Sequence, residues 1–274
     1  GRPDNVRRLV DSIRKTVEKI EKVEVLFYVD FDDSTFPEDV LCENIRIFRG
    51  PKLWLSLMQN YLFVHARGDI LMYAADDIVF LTESWDVKVT NIFSEYPDKI
   101  VLVYPNDLGT YGDSLAIHGF LHRTWVESLK YWVAPGRGTW YDLWMTDVAR
   151  SLDRLRYLED VCIQHIHYRQ GKKEAEFDET YKSVYRDSTS WNPKLTYAKL
   201  KRERRIDHIL LREKIAVRPK LDFRFLLAEL IFQYRKQLRI GSLDERRILT
   251  LTNFEVVKLV IWNFIKLLFR KRKL

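Results

Sequence analysis

Only two cysteines occur in the 274 residues, Cys42 and Cys162, far apart and each beside apolar neighbours. That scarcity excludes a disulfide framework and a cysteine-based zinc site, and it makes a reducing cytoplasm the default expectation. No secretory leader is visible, and no apolar run is long enough to span a bilayer. Internal repeats and low-complexity segments are missing as well. Core-forming residues are plentiful: 46% of the chain is hydrophobic and 14% aromatic, enough for one large domain or a core domain with an appendage.

Charge is unevenly placed. The net charge of +7 conceals 21 Lys/Arg against 8 Asp/Glu over residues 199–274, a net of +13, and 25 against 31 over residues 1–198, a net of −6. An acidic body with a basic tail suggests that the tail meets a polyanion, either nucleic acid or an anionic lipid surface. A solvated helical hairpin whose charge serves solubility is the plainer alternative.

Apolar periodicity divides the chain into elements. Val6, Leu9, Val10, Ile13, Val17 and Ile20 recur at helical spacing behind Arg2-Pro3-Asp4, with Asp4 as the expected N-cap. Val23 to Val29 reads as a strand, Ile45 to Phe48 as a short strand, and Leu53 to Ala66 as a helix with Leu53, Leu57, Tyr61 and Val64 on one face. Gly68 stands where a C-terminal glycine belongs. A strand from Ile70 to Ala75, a helix over Ser84 to Glu95 and a strand from Ile100 to Tyr104 follow. This alternation predicts an α/β fold with a largely parallel sheet flanked by helices. Further on, Ser114 to Leu121 suits a strand, Arg123 to Tyr131 a short helix, Trp132 to Thr139 a loop, Tyr141 to Leu152 a helix and Leu155 to His167 one or two strands. Residues 170–198 look irregular, and helices dominate from 199 onward. The expected organisation is a core over 1–198 and a helical basic C-terminal module over 199–274.

The densest chemistry lies in Asp69-Ile-Leu-Met-Tyr-Ala-Ala-Asp76-Asp77-Ile-Val-Phe80, an apolar run ending in two adjacent carboxylates. Two acids enclosed by hydrophobic sequence are unfavourable unless a cation compensates them. A turn that caps the next helix is one explanation; a divalent ion carrying a phosphate ligand is the other. Asp30, Asp32, Asp33, Asn106 and Asp107 also fall at carboxyl ends of expected strands, where α/β sheets form their ligand crevice. Acids collecting on one edge favour metal and phosphate binding.

Taken in order, several motifs resemble the family 2-like glycosyltransferases of the nucleotide-diphospho-sugar transferase fold, commonly called GT-A, and their phage-type members in particular. They are Gly1-Arg2-Pro3-Asp4-Asn5, Val29-Asp30-Phe31-Asp32-Asp33, Arg49-Gly50-Pro51, Ala66-Arg67-Gly68-Asp69-Ile70 running into Ala75-Asp76-Asp77, Trp140-Tyr141-Asp142-Leu143-Trp144, and Tyr157-Leu158-Glu159-Asp160 ending in Gln164-His165-Ile166-His167. The resemblance covers roughly residues 1–190. Two features depart from it. Family members start with a strand before the Arg-Pro turn, whereas this sequence begins at the turn, so that strand is trimmed away, dispensable or supplied elsewhere. Ala75 holds the first position of the family's Asp-x-Asp motif, leaving Asp76 and Asp77.

The resemblance implies a metal-dependent transferase that moves a sugar from a nucleotide-diphosphate donor, in first place a UDP-sugar, to a hydroxyl. It implies Asp77 as direct ligand to Mn²⁺ or Mg²⁺, His165 completing the shell, and Asp76 on donor hydroxyls. Asp30 and Asp32 would read base and ribose, with Gly50 and Lys52 near the diphosphate. Asp142 would be the catalytic base of an inverting reaction, with Asp147 in reserve. His118 and Trp140 would contact sugar or acceptor. Because His165 and His167 alternate on an expected strand, they should face opposite ways, leaving one as ligand. Each carboxylate also has a structural reading as a cap or turn former, and each aromatic one as core.

Lys199-Leu-Lys-Arg-Glu-Arg-Arg205 opens the basic tail, and Arg202, Arg204 and Arg205 are its candidate acceptor contacts. Phage-type relatives include enzymes that glycosylate hydroxymethylated pyrimidines, so DNA is the preferred acceptor, reached by flipping the base out. The rival is a peripheral membrane enzyme of surface or lipid-linked glycan synthesis, attached through Asn253 to Leu274, an apolar stretch ending Arg-Lys-Arg-Lys. A non-catalytic DNA- or membrane-binding protein on the same fold is the third reading.

Overall fold

A computed structural model describes residues 2–109, 111–132, 140–167, 177–178, 181–182 and 197–215. The expected loop over 133–139, most of the irregular segment 170–198 and the helices expected beyond 216, including the apolar stretch 253–274, lie outside the described residues. The chain divides into a compact unit over Gly1–Ala216 and a second unit over Val217–Leu274.

In chain order the described elements are α1 (Pro3–Thr16), β1 (Val25–Asp30), β2 (Ile45–Gly50), α2 (Leu55–His65), β3 (Ile70–Tyr73), β4 (Ile78–Phe80), α3 (Trp85–Glu95), β5 (Leu102–Asn106), β6 (Gly119–His122), α4 (Arg123–Leu129), α5 (Tyr141–Ser151), β7 (Leu155–His165) and α6 (Lys201–Lys214). The α/β class holds. The sheet is mixed rather than largely parallel. β1 and β2 pair in parallel as a two-stranded sheet, while the other strands run β3-β6-β5-β7-β4, with only β5 and β7 parallel. Two short returns cause the difference. β6 comes back antiparallel between β3 and β5, and Ile78–Phe80, expected only as apolar sequence, forms a strand antiparallel to β7.

β7 shapes the site. Its register against β5 jumps from Pro105↔Leu158 to Asn106↔Cys162, so residues 159–161 bulge and bend the strand. Beyond the bend, Ile163, Gln164 and His165 pair with Phe80, Val79 and Ile78. His165 is thereby carried beside the acid pair that precedes β4.

Strand alternation builds a core on each face. Leu102, Tyr104 and Leu121 join Trp125, Val126, Trp144 and Val148 from α4 and α5, whereas Val101, Val103 and Phe120 join Leu9 and Ile13 of α1 and Val89 and Phe93 of α3. α6 docks on the first core through Leu211. Its Asp207 accepts hydrogen bonds from Tyr131 and, at 2.7 Å, from Trp144 Nε1. The first helix of the basic segment is therefore packed on the α/β body.

Two local expectations are corrected. Asp4 lies inside α1, which starts at Pro3 with Arg2 as N-cap; proline suits the first helical position, and Asp4 meets the helix dipole instead of capping. α2 turns its expected core face outward: Leu57, Tyr61 and Val64 are 46, 40 and 75% exposed, while Ser56 and Gln59 are buried. Its inward side is polar because Gln59 donates to the Ala74 carbonyl and Asn60 accepts from the Trp132 amide, satisfying backbone groups just beyond β3 and α4. Gly68 does not cap this helix. Ala66 leaves it in an extended conformation, and the Arg67 and Gly68 amides donate to Glu24.

Candidate functional site

The carboxyl ends of β1 and β3 and the far end of β7 meet around one cleft of about 1730 Å³, which Asp30, Asp32, Lys52, Asp76, Asp77, His118, Trp140, Asp142 and His165 all line. The backbone fixes its centre. Ile166 donates its amide to the Asp77 carbonyl at 2.7 Å, and His165 donates its own to the Asp107 carbonyl at 3.4 Å, so the end of β7 is held between the two acids. His165 Nε2 then lies 3.5 Å from Asp77 Oδ1, and its Nδ1 lies 4.0 Å from Asp107 Oδ2. Asp77 is 5% exposed. Its Oδ1 and the Asp107 Oδ2 are buried without a hydrogen bond among the described residues.

The opposite side of the acid pair is closed by Arg2. Its Nη1 lies 3.3 Å from Asp76 Oδ1 and 3.8 Å from Asp77 Oδ2, and its guanidinium donates twice to Asp178 while lying 4.2 Å over the Tyr181 ring. Tyr181 donates its hydroxyl to Asp77 Oδ2 at 2.7 Å. One Asp77 oxygen is thus engaged, and the other faces the histidine. Burial pushes the Asp77 carboxyl up, but His165 and the Tyr181 hydrogen bond outweigh it and hold the group below the usual carboxylate range. Asp76 moves the other way, raised by burial and by Asp77 against the opposing pull of Arg2. Adjacent acids driven apart in this way suit different roles.

His118 stacks edge-on against His165 with ring centroids 4.8 Å apart, and burial, then His165, lowers it to about 3, so it stays neutral. His167 does not face away from His165. β7 ends at His165, strand alternation lapses, and the two rings approach to 5.3 Å, with His167 continuing to Tyr181 at 5.0 Å.

Asp142 stands in the first turn of α5. Burial raises its carboxyl to about 6, against the opposing hydrogen bond of 2.8 Å from the Leu143 amide. A carboxylate titrating there exchanges protons near neutral pH. Trp140 precedes the helix at φ 84°, a left-handed conformation rare for a bulky residue, and its ring lies 5.6 Å from that of Tyr197. Asp147 is engaged elsewhere, by the Tyr197 hydroxyl and by Arg150 at 3.6 Å.

At the β1 end, burial and then Asp32 raise the Asp30 carboxyl, and Lys52 opposes them. Gly50 ends β2 opposite Asp30, and Tyr28 lies so close that a Cβ there would collide with its ring. The α6 arginines are not among the residues lining the cleft. Arg202 is exposed, whereas Arg204 lies 3.6 Å over the Tyr197 ring and 5.3 Å from that of Trp144.

Sequence reasoning gave no site role to Arg2 or Tyr181, counted Asp107 only among the acids at strand ends, and weighed His167 only as the alternative to His165. Arg2 carried a signal, since it stands in Gly1-Arg2-Pro3-Asp4-Asn5, the first of the ordered motifs. Tyr181 carried none, since it stands in irregular sequence.

Could these residues hold a divalent ion? One bound at ~2.0–2.2 Å by a carboxylate oxygen and an imidazole nitrogen needs those atoms roughly 3–3.5 Å apart, and Asp77 Oδ1 and His165 Nε2 meet that condition. Asp107 Oδ2 lies 4.0 Å behind Nδ1, on the side from which a carboxylate orients a ligating imidazole, without a hydrogen bond to it. No group of three His, Cys, Asp or Glu among the described residues could hold a metal unaided. The fit is to two protein donors, with a substrate and water supplying the others. No described helix is long and apolar enough to cross a membrane. Neither a protein-family model nor a curated protein sequence matches the chain.

Proposed function

We propose that the chain is a metal-dependent glycosyltransferase with a GT-A-like core, taking sugar from a nucleoside-diphosphate donor. The observation that carries this reading is the buried Asp77 Oδ1, open toward His165 Nε2 in the same cleft as the elevated carboxyl of Asp142. When bound there, Mn²⁺ or Mg²⁺ supplies Lewis-acid stabilisation of the departing diphosphate. Asp77 and His165 hold the ion, with Asp107 behind the far nitrogen of His165. Asp30 and Asp32 bind the nucleoside at the β1 end of the cleft. Asp142 accepts the proton of the acceptor hydroxyl as its oxygen bonds to the anomeric carbon and the sugar–phosphate bond breaks, giving inversion. The test is turnover of UDP-sugars with Mn²⁺; activity that survives both EDTA and Asp77→Asn would sink the metal-assisted reading.

The acceptor we favour is a 5-hydroxymethylpyrimidine in DNA, on the strength of the net +13 charge over residues 199–274. Duplexes containing hydroxymethylcytosine or hydroxymethyluracil, read by nucleoside mass, test it. Preference for anionic vesicles with no DNA affinity at moderate salt would reverse the choice toward a membrane-associated glycan enzyme. One observation favours a non-catalytic protein instead: Arg2 already neutralises the acid pair. Absence of any donor turnover, together with retained polyanion binding, would establish that alternative.

A further inference from the structure

Burial is what raises the Asp142 carboxyl, and backbone hydrogen bonds are what oppose it. The titratable groups that face it, Tyr73 of β3 and its neighbour Tyr141, are buried phenols whose ionisation is itself pushed up, so both stay neutral. The dryness of the surrounding wall therefore sets this group, rather than a neighbouring charge. Whatever fixes that wall fixes where the carboxylate stands and the pH at which it ionises.

Trp140 is part of the wall. It lines the cleft just before Asp142, and its carbonyl accepts the Trp144 amide at 3.1 Å, opening α5. Its backbone sits at φ 84° and ψ 10°, a strained conformation for a bulky residue that persists only where the surroundings impose it. Tyr197 supplies those surroundings. It is 6% exposed, its ring lies 5.6 Å from that of Trp140, and the Arg204 guanidinium sits 3.6 Å over it. The Tyr197 hydroxyl donates to Asp147 Oδ2 of α5, and Arg204 Nη1 donates to the Tyr197 carbonyl. Arg204 also lies 5.3 Å from the Trp144 ring. Helical geometry puts Trp144 and Asp147 on one side of α5 and Asp142 across from them. The grip is thus applied behind the helix that presents the carboxylate to the cleft. Both Tyr197 and Arg204 stand beyond the roughly 190 residues that resemble the transferases.

We propose that Tyr197 is a positioning residue for transfer: braced by Arg204 against Trp140, it holds the start of α5 so that Asp142 meets the acceptor hydroxyl. The inference rests on Asp142 acting as the base. Tyr197 touches no substrate; its effect passes through Trp140 and α5. Without its ring, Trp140 is free to leave the left-handed conformation, water reaches Asp142, and the first turn drifts. A displacement of about 1 Å slows a reaction by roughly 10²-fold. In the proposed reaction Asp30, Asp32 and Asp77 bind the donor, and donor affinity should not follow.

Tyr197→Leu, Tyr197→Phe and Arg204→Ala in the full chain test this. Each is followed by UDP-sugar kinetics across pH and by an NMR titration of the Asp142 carboxyl carbon. Tyr197→Leu should lower kcat at least ~10-fold with KM for UDP-sugar unchanged. The acid limb of its rate profile and the carboxyl midpoint should move together, downward from about 6. Tyr197→Phe keeps the ring without the bond to Asp147 and should restore both; Arg204→Ala should move both part of the way. A lower melting temperature in Tyr197→Leu with limb and midpoint unmoved makes Tyr197 a packing residue and overturns the proposal. Equal losses in Tyr197→Phe and Tyr197→Leu overturn it too. Should Tyr197→Leu fail to fold, Arg204→Ala decides by the same two readouts. The titration needs no turnover: a midpoint that moves in a chain without transferase activity upholds the grip on Asp142 while ending the glycosyltransferase reading.

Discussion

Asp77 Oδ1 and His165 Nε2 face each other at 3.5 Å, one following β3 and the other ending β7. The β7 bulge and the backbone bond from Ile166 to Asp77 make that approach possible. Around it, every charged partner has a definite consequence.

Arg2 holds the acid pair when no other cation does. Arg2→Ala should lower the unfolding free energy by about 1–3 kcal/mol, because Asp76, Asp77 and Asp178 lose a shared partner in a partly buried site. Mn²⁺ should restore more stability to this variant than it adds to the parent, since the two cations serve the same carboxylates. Thermal melts with and without Mn²⁺ measure both; equal increments would show that Arg2 and the ion do not compete.

Asp142 sets a pH dependence. Its carboxyl rises from 3.8 to about 6 on folding, so folding favours the protonated form, and the group's contribution to stability declines as pH rises from about 4 to 6. The base must be ionised to work, so transfer should fall away below pH about 6. Asp142→Asn should reduce turnover by roughly 10²–10⁴-fold yet gain stability relative to the parent at pH 8 compared with pH 4. A variant that keeps full turnover removes Asp142 from the chemistry.

Asp207 fastens α6. In Asp207→Ala, Tyr131 and Trp144 lose their buried acceptor, at a cost of about 2–4 kcal/mol. Faster amide exchange confined to residues 201–215 would show the helix releasing, and unchanged exchange would assign its docking to Leu211 and Ile215 alone.

The α6 arginines should separate by role. Arg202→Ala should weaken salt-dependent retention on duplex DNA without changing the melting temperature, since that side chain is exposed. Arg204→Ala should lower stability by about 1 kcal/mol, through loss of its contacts with Tyr197 and Trp144. Retention unaffected by Arg202→Ala would leave α6 outside the polyanion surface.

Much of the fold was legible because local pattern and tertiary role agree. The apolar spacing of α1 and the acids at strand ends both correspond to what the chain builds. Where they part, a long-range contact decides. Leu57, Tyr61 and Val64 read as a core face, yet α2 buries Gln59 because the Ala74 carbonyl needs a donor. Hydrophobic periodicity carries no record of such a backbone demand. The β6 return makes the sheet mixed, and a four-residue strand is too short for its direction to show in sequence. At the site, Asp77, His165 and Asp142 were named from motifs. Tyr181 and Arg2 were not, because their importance comes from side chains brought near by the fold.

The most direct measurement is Mn²⁺ binding by calorimetry, with and without UDP, to the parent chain and to Asp77→Asn. The account predicts one site in the parent that strengthens with the nucleotide, whose phosphates complete a shell begun by Asp77 and His165, and that is lost in the variant. Binding of equal strength in both proteins, or no binding to the parent with UDP present, would contradict it.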